Sequence, residues 1–281
     1  MVHIITDSGA DFEPDELTNL GIECIPITVV FAADEYQENV NMSKELFYEL
    51  LKTSKDFPKT AQPSPLEFEK LFSEYIKQGD EAVVITLSSA LSGLYQNAAM
   101  VKQSMEYEGC HIVDSLTAAG GQRLLVEEAV RLRDKGKSAG EIAAELEDLK
   151  GRIELYACLD TLEYLYRGGR ISRTAYALGT VSNVKPIVHV TRDGQVEVVA
   201  KMLGMSRGIS YIKSRFLSKE IDPDYPLCLM YTHNRGNAEL LAKSLEKDGY
   251  DIPENRLVNV GATIGTHVGT NCCGIVYITK K

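Results

Sequence analysis

The sequence predicts an α/β protein of two domains, an N-terminal doubly wound parallel sheet followed by a C-terminal mixed α/β domain containing antiparallel strands. Three observations predict it. The chain has 281 residues, 44% of them hydrophobic and 25% charged, enough for two buried cores. Its first half alternates short apolar runs with amphipathic stretches of helical period, the grammar of parallel βαβ units. Near residue 155 the alternation gives way to two strand-like runs flanking Arg192-Asp193-Gly194, and Asp-Gly is a hairpin signal foreign to a purely parallel sheet. The expected domains are therefore 1–155, Rossmann-like, and 156–281. With no internal repeat and no low-complexity linker between them, they are expected to share a tight interface.

Residues 2–6 form a first apolar strand ending in Asp7-Ser8, and Pro14 suits the first position of a helix. Ile22–Phe31 is a second strand region broken by Pro26. Asp34-Glu35 reads as a turn, and Ser43 caps a helix through Leu51, with Met42 and Phe47 spaced as a hydrophobic staple. In Lys59-Thr60-Ala61-Gln62-Pro63-Ser64-Pro65-Leu66-Glu67, Ser64 and Glu67 have the spacing of a capping box and Pro65 fits the first helical position. Thr60 and Gln62 precede the cap on a rigid loop, with polar side chains free to face something.

The central stretch runs Ala82-Val83-Val84-Ile85-Thr86-Leu87 into Ser88-Ser89-Ala90-Leu91-Ser92-Gly93, an apolar strand emptying into a hydroxyl-rich turn before a helix. The first N–H groups of a helix lack internal partners and carry the positive end of its dipole, so such a turn can hold a carboxylate or phosphate. For a single serine, Ser89 or Ser92, plain helix capping is the simpler reading. The following helix, Gly93–Met105, is expected to bury Leu94, Tyr95, Ala98, Ala99 and Met105. A strand Cys110–Val113 ends in Asp114-Ser115, and helices follow from Thr117–Gly121 and from Ser138 to Leu149. Asp7-Ser8, Ser88-Ser89 and Asp114-Ser115 thus fall at the carboxyl ends of strands, where ligands of parallel sheets bind. Beyond the boundary come strand Ile153–Cys158, an irregular segment 161–171, a short helix 173–179, and strands 185–191 and 196–201. Helix 206–217, strand 227–232, helix 236–247 and strands 257–260 and 274–279 complete the chain.

A formal net charge of −10 argues against a nucleic-acid binder, whose affinity rests on cations against phosphate. The six cysteines lie mostly in apolar runs without C-x-x-C spacing, which points away from a metal site and towards a reduced, cytoplasmic chain. Cys272 and Cys273 should alternate faces of a strand. The N-terminus reads as a first strand rather than a signal peptide, and no run approaches the roughly 18 apolar residues of a membrane span. P-loop, H-E-x-x-H and G-x-G-x-x-G patterns do not occur. Among the histidines, His233 stands between a strand and a helix, a place for catalytic and ordinary turn residues alike. His267 stands among small residues, Gly261 to Gly269, that allow close backbone approach to a ligand. Arg167, Arg170 and Arg173 recur around Gly168-Gly169, to face solvent, a phosphate or an acidic partner.

Asp7-Ser8, Thr60-Ala61-Gln62-Pro63-Ser64, Ser88 to Tyr95, Asp114-Ser115, Gly168-Gly169-Arg170-Ile171-Ser172 and Gly265-Thr266-His267-Val268-Gly269 together resemble the DegV family of bacterial fatty-acid-binding proteins, over the whole chain. The resemblance implies a carrier without catalysis of its own or cofactor. It would bury one long-chain fatty acid between its domains and present the carboxylate to a separate ATP-dependent fatty acid kinase. The acyl phosphate so made would feed phospholipid synthesis. It also implies that Thr60, Ser92, the Gly93 amide and His267 hold the carboxylate, and that Arg170 faces the kinase. Thr270-Asn271 stands where the family has Pro-Gly, and Leu94 where it has threonine. From the residues alone, Thr60 and Ser92 offer hydroxyls, Gly93 an amide, and His267 a donor that becomes cationic if a carboxylate raises its pKa. The alternative is a hydrolase or phosphotransferase with Ser92 or His233 as nucleophile.

Overall fold

The computed structural model describes residues 1–177 and 183–281. The apolar run Val2–Asp7 is strand β1, and Pro14–Leu20 is helix α1, closed by Gly21 in the left-handed conformation. Ile22–Ile25 is β2. A hairpin follows, β3 (Thr28–Phe31) and β4 (Asp34–Gln37), then α2 (Lys44–Thr53) and β5 (Lys59–Ala61). Next come α3 (Pro65–Gln78), β6 (Glu81–Thr86), α4 (Leu94–Ser104), β7 (Cys110–Asp114), α5 (Gly120–Asp134) and α6 (Ala139–Lys150). The first sheet has the order β2-β1-β6-β7, all pairs parallel, as the doubly wound reading expects. A small antiparallel sheet, β4-β3-β5, stands beside it.

The second sheet uses β8 (Ile153–Cys158), β9 (Val184–Val190), β10 (Val196–Leu203), β11 (Cys228–Tyr231), β12 (Leu257–Asn259) and β13 (Cys273–Ile278). Their order is β10-β9-β8-β13-β11-β12, antiparallel except for β11 with β12. Helices α7 (Glu163–Arg167), α8 (Arg173–Ala177), α9 (Met205–Leu217), α10 (Gly236–Glu246) and α11 (Ala262–Val268) connect these strands. The period of two along the strands divides the sheet's faces. Leu229, Ile275 and Tyr277 pack with Ile212, Phe216 and Leu241 of α9 and α10. Their neighbours Cys228, Met230, Val276 and Ile278 join the core of the first sheet, reaching Leu124 and Leu125 of α5. Helix α5 contacts β1 and β6 on one side and β8, β11 and β13 on the other, so it is sandwiched between the sheets.

Several expectations need correction. Asp34-Glu35 begins β4 and is not the turn; register Phe31↔Asp34 closes the bend at Ala32-Ala33, where no Gly, Asn or Asp marks it. The irregular segment 161–171 contains α7, and the glycine-rich stretch 261–269 contains α11. Helix α4 buries Leu94, Asn97, Ala98 and Val101, while Tyr95, Ala99 and Met105 are only partly covered. Asn97 is admitted because its Nδ2 donates to Pro63 O at 3.0 Å. Ser64 caps α3 by accepting from Leu66 N at 3.3 Å, but Glu67 turns to Lys70 rather than back to the cap. Residues 178 and 179 of the short helix expected at 173–179 lie outside the described residues. Ser43 caps α2 as expected, over the buried Met42 and Phe47, and Cys272 and Cys273 fall into different cores.

The sandwich leaves little slack at its seam. A Cβ on Gly120 would meet Val276 Cγ1 at 2.8 Å and Met230 Sδ at 3.0 Å. Gly120→Ala should therefore lower the unfolding free energy by about 1–3 kcal/mol, measured by urea denaturation. A variant within about 0.5 kcal/mol of the parent would show that α5 and the second sheet are not in this tight contact.

Candidate functional site

Helix α5 starts only at Gly120, and the space between the sheets beyond its first turn stays open. It forms a cavity of about 240 Å³. At roughly 15–30 Å³ per water-sized group, that is room for on the order of eight to sixteen such groups, the scale of an alkyl chain. Leu87, Leu91, Ala118 and Ala119, from the loops after β6 and β7, form one wall. Leu155, Ala157, Val188, Val190 and Met230 of the second sheet form the other, and Ile264 and Val268 of α11 close a side. The cavity thus sits at the carboxyl ends of the parallel strands.

The expected polar pairs at those strand ends serve the turns. Asp7 accepts from Leu87 N (2.8 Å), Gly9 N (2.9 Å) and Gln122 Nε2 (3.0 Å), with burial pushing its carboxyl up to about 6. Ser88 donates to Gly194 O at 2.9 Å and thereby ties the β9–β10 hairpin to the first sheet. Asp114 accepts from Ser89 N and Leu116 N.

Thr60, Ser92, Gly93 and His267 all line this cavity. Strand β5 carries Thr60, the turn before α4 carries Ser92 and Gly93, and the last turn of α11 carries His267. Thr60 Oγ1 and His267 Nε2 are 3.0 Å apart. Nδ1 of His267 is buried without a partner, and its ring lies against Gly168, where a Cβ would come within 2.2 Å of it. An N–H at Nδ1 would be a buried, unsatisfied donor, so the ring carries its hydrogen on Nε2 and gives it to Thr60 Oγ1. The Thr60 hydroxyl hydrogen is then free to point into the cavity. Ser92, one residue before the N-cap Gly93, accepts from Leu94 N at 3.4 Å through its Oγ, and its own hydrogen remains available. The Gly93 N–H makes no hydrogen bond among the described residues. Gln62, which the sequence leaves unexplained, lies over Gly93: a Cβ there would strike its Oε1 at 2.4 Å.

Two electrostatic features describe the ligand-free site. Burial, helped by the nearby Arg170 charge, pushes the His267 imidazole down to about 3, so the ring is neutral near pH 7 and the standing cation is another residue. That cation is Arg170, which is half-buried and lines the cavity rather than projecting as a mobile surface charge. Its Nε donates to Leu91 O at 3.1 Å and its Nη1 to Gly168 O, and burial lowers its pKa. No carboxylate pairs with it among the described residues. Arg167, by contrast, is exposed, pairs with Glu163 and stacks 3.9 Å over Phe57.

His233 lies away from this cavity, exposed, with its ring 5.6 Å from Tyr48. Among the described residues no cluster of three or more His, Cys, Asp or Glu is disposed to hold a metal, and no helix is long and apolar enough to cross a membrane.

A family model described as "Uncharacterised protein, DegV family" matches residues 1–280. The chain belongs to the DegV family. A DegV domain-containing protein of Caldanaerobacter subterraneus is 32% identical over 280 residues, covering 99% of each chain. Among solved structures, a DegV family protein from Thermus thermophilus, described for its fatty acid binding, superposes with a TM-score of 0.86 at 27% identity and 99% coverage of both chains. DegV of Bacillus subtilis, described as a fatty acid binding protein, superposes with a TM-score of 0.83 at 26% identity, again over 99% of both. The fold of this DegV chain is thus shared from end to end with proteins described as binding fatty acids.

A buried neutral His267 has a consequence for acid stability. Its folded pKa lies below the usual 6.5, so the unfolded chain takes up the proton first as pH falls. The stability contributed by the neutral ring is intact above about 6.5 and is lost towards about 3, at about 1.4 kcal/mol per pH unit. Between about pH 7 and about pH 5, the unfolding free energy relative to His267→Gln should therefore fall by about 2 kcal/mol. Urea denaturation of both proteins at each pH checks this, and a pH-independent difference would refute it.

Proposed function

We propose that this DegV protein binds one long-chain fatty acid in the cavity and presents its carboxylate to a separate ATP-dependent fatty acid kinase. The observation that carries the reading is an apolar slot ending at the Thr60–His267 pair beside an arginine with no carboxylate of its own. The fatty-acid-binding neighbours support it. In this reading the lipid lies between domains 1–155 and 156–281, and Thr60, Ser92, Gly93 N–H and His267 hold the carboxylate. The Thr60 and Ser92 hydroxyls and the Gly93 amide donate directly, while neutral His267 acts through Thr60 and Arg170 balances the charge. About 14 buried methylenes contribute on the order of 11 kcal/mol before ordering costs, so the tail dominates affinity and the head group sets orientation. Release of a long-chain fatty acid by organic extraction and gas chromatography is the expected result. No stoichiometric lipid, and no uptake of added fatty acid, would sink the reading.

Carriage is favoured over catalysis by the company the candidate nucleophiles keep. Ser92 Oγ is paired with a backbone amide, Thr60 occupies His267 Nε2, and His233 is elsewhere. Neither Ser92 nor His233 has the adjacent base that activates a nucleophile. Thr60→Ala and Ser92→Ala are expected to weaken fatty-acid binding about ten- to a hundredfold, since a hydrogen bond to a charged group is worth roughly 1.5–3 kcal/mol. A lowered melting temperature with unchanged affinity would leave Ser92 a cap only.

Arg170 is assigned to the partner-facing side as well. It stands between the cavity and an outer groove lined by Ser172 and Lys201, where a kinase would approach. Arg170→Ala should lower ATP-dependent acyl phosphate formation on the loaded protein by more than it lowers fatty-acid affinity. Equal losses would confine Arg170 to the head group.

A further inference from the structure

Two acidic residues are buried against the start of α11, away from the cavity. Glu38, directly after β4, is 1% exposed and accepts from Ala262 N (2.5 Å), Thr263 N (2.9 Å) and Thr263 Oγ1. Asp11, 2% exposed, accepts from Gly261 N at 2.8 Å. Gly261 has to lack a side chain, because a Cβ would lie 1.8 Å from Glu38 Oε1. The cation packed beside them is Lys44, 4% exposed, whose Nζ donates to Asp11 O, Asn259 O and Glu13 Oε1. Burying two carboxyl groups is costly, burial pushing Asp11 up to about 8 and raising Glu38 as well, and a serine or asparagine would cap a helix more cheaply. The arrangement therefore asks for a reason beyond capping.

That reason lies in what the β3–β4 hairpin grips. Helix α11 has seven residues, too few to hold its own place, and it carries His267 in its last turn. Through the ladder with β5, register Val29↔Thr60 fixes Thr60 to β3. Through the Glu38 carboxylate, the same hairpin fixes the first turn of α11. Behind the helix, Gly265 lies against Phe47 and Tyr48 of α2, with a Cβ only 2.6 Å from Phe47 Cε1, and Tyr48 Oη donates to Val260 O at 2.8 Å, while Glu38 takes the Ala262 and Thr263 N–H groups of the first turn. We propose that Glu38 is a positioning residue for the head-group site, holding α11 where His267 Nε2 meets Thr60 Oγ1. Its link to lipid rests on the fatty-acid reading above; its link to His267 does not.

The full-length, ligand-free chain tests it. Glu38→Gln keeps the size of the side chain but turns one acceptor into an amide NH2 facing the α11 donors. Thr263→Val removes the hydroxyl arm at constant shape, together with its 2.9 Å bond to Ser8 Oγ, and serves, beside Ser8→Ala as its control, if Glu38→Gln fails to fold. Histidine-ring ¹H–¹⁵N correlation spectra, with His267 identified by its loss in His267→Gln, read whether Nε2–H still sits on Thr60. We expect shifted His267 ring signals and about tenfold weaker hexadecanoate binding. Unmoved His267 signals in the folded variant, even with a lower melting temperature, would overturn the proposal and leave Glu38 a stabilising cap. Moved signals in a chain whose parent takes up no hexadecanoate would uphold the positioning role and overturn the fatty-acid reading instead.

Discussion

Two sheets held apart by a single helix define this molecule. A helix with its side chains is about 10–12 Å across, so α5 sets a spacing that both sheets must keep along their whole width. Where α5 is present, Leu124 and Leu125 fill the space; before Gly120 there is only Ala118 and Ala119, and the space stays open. The slot is thus a by-product of where the helix begins. Its lining of small and medium apolar side chains suits an alkyl chain. Close packing elsewhere keeps the gap from collapsing, since Gly120 already lets Met230 and Val276 approach as far as they can.

The polar lining has a different problem, because a chain of net charge −10 repels an anion at long range. On the fatty-acid reading only local groups can reverse that, Arg170 and the neutral donors that line the cavity. Arg170 is half-buried with its guanidinium anchored on backbone oxygens, so it keeps its place but is not neutralised. Its field is one reason His267 stays neutral: two cations so close in a dry site would repel. On the fatty-acid reading, a carboxylate meeting Arg170 and a set of neutral donors balances charge one for one.

Much of this was legible in the sequence, and what was not has identifiable causes. The apolar run of β6, the strand-end polar pairs and the Asp-Gly hairpin are local signals, and they gave the two sheets correctly. Helix α11 was hidden because its cap is Glu38, more than two hundred residues away, while its own glycines read as loop. Asn97 was missed as a core residue because its partner, Pro63 O, belongs to another element. Arg167, Arg170 and Arg173, recurring around Gly168-Gly169, left open which of them faces solvent, a phosphate or an acidic partner. In the fold, α7 ends between them and turns only Arg170 inward. Long-range polar contacts write no period into the sequence, and these are the ones that shape the head-group end.

On the fatty-acid reading, the geometry also bears on how such a ligand is used. An affinity dominated by a buried tail implies slow dissociation, since differences in affinity between related complexes reside mainly in the off-rate. A carrier that had to release its lipid before reaction would be limited by that step. Placing the carboxylate at the polar lining, beside Arg170 and the groove containing Ser172 and Lys201, removes the requirement: the reacting oxygens sit at the mouth while the methylenes stay buried. The Thr60–His267 bond then matters more for orientation than for affinity. It keeps the Thr60 hydroxyl aimed at one carboxylate oxygen without adding charge, leaving the other oxygen to meet a phosphoryl donor from outside.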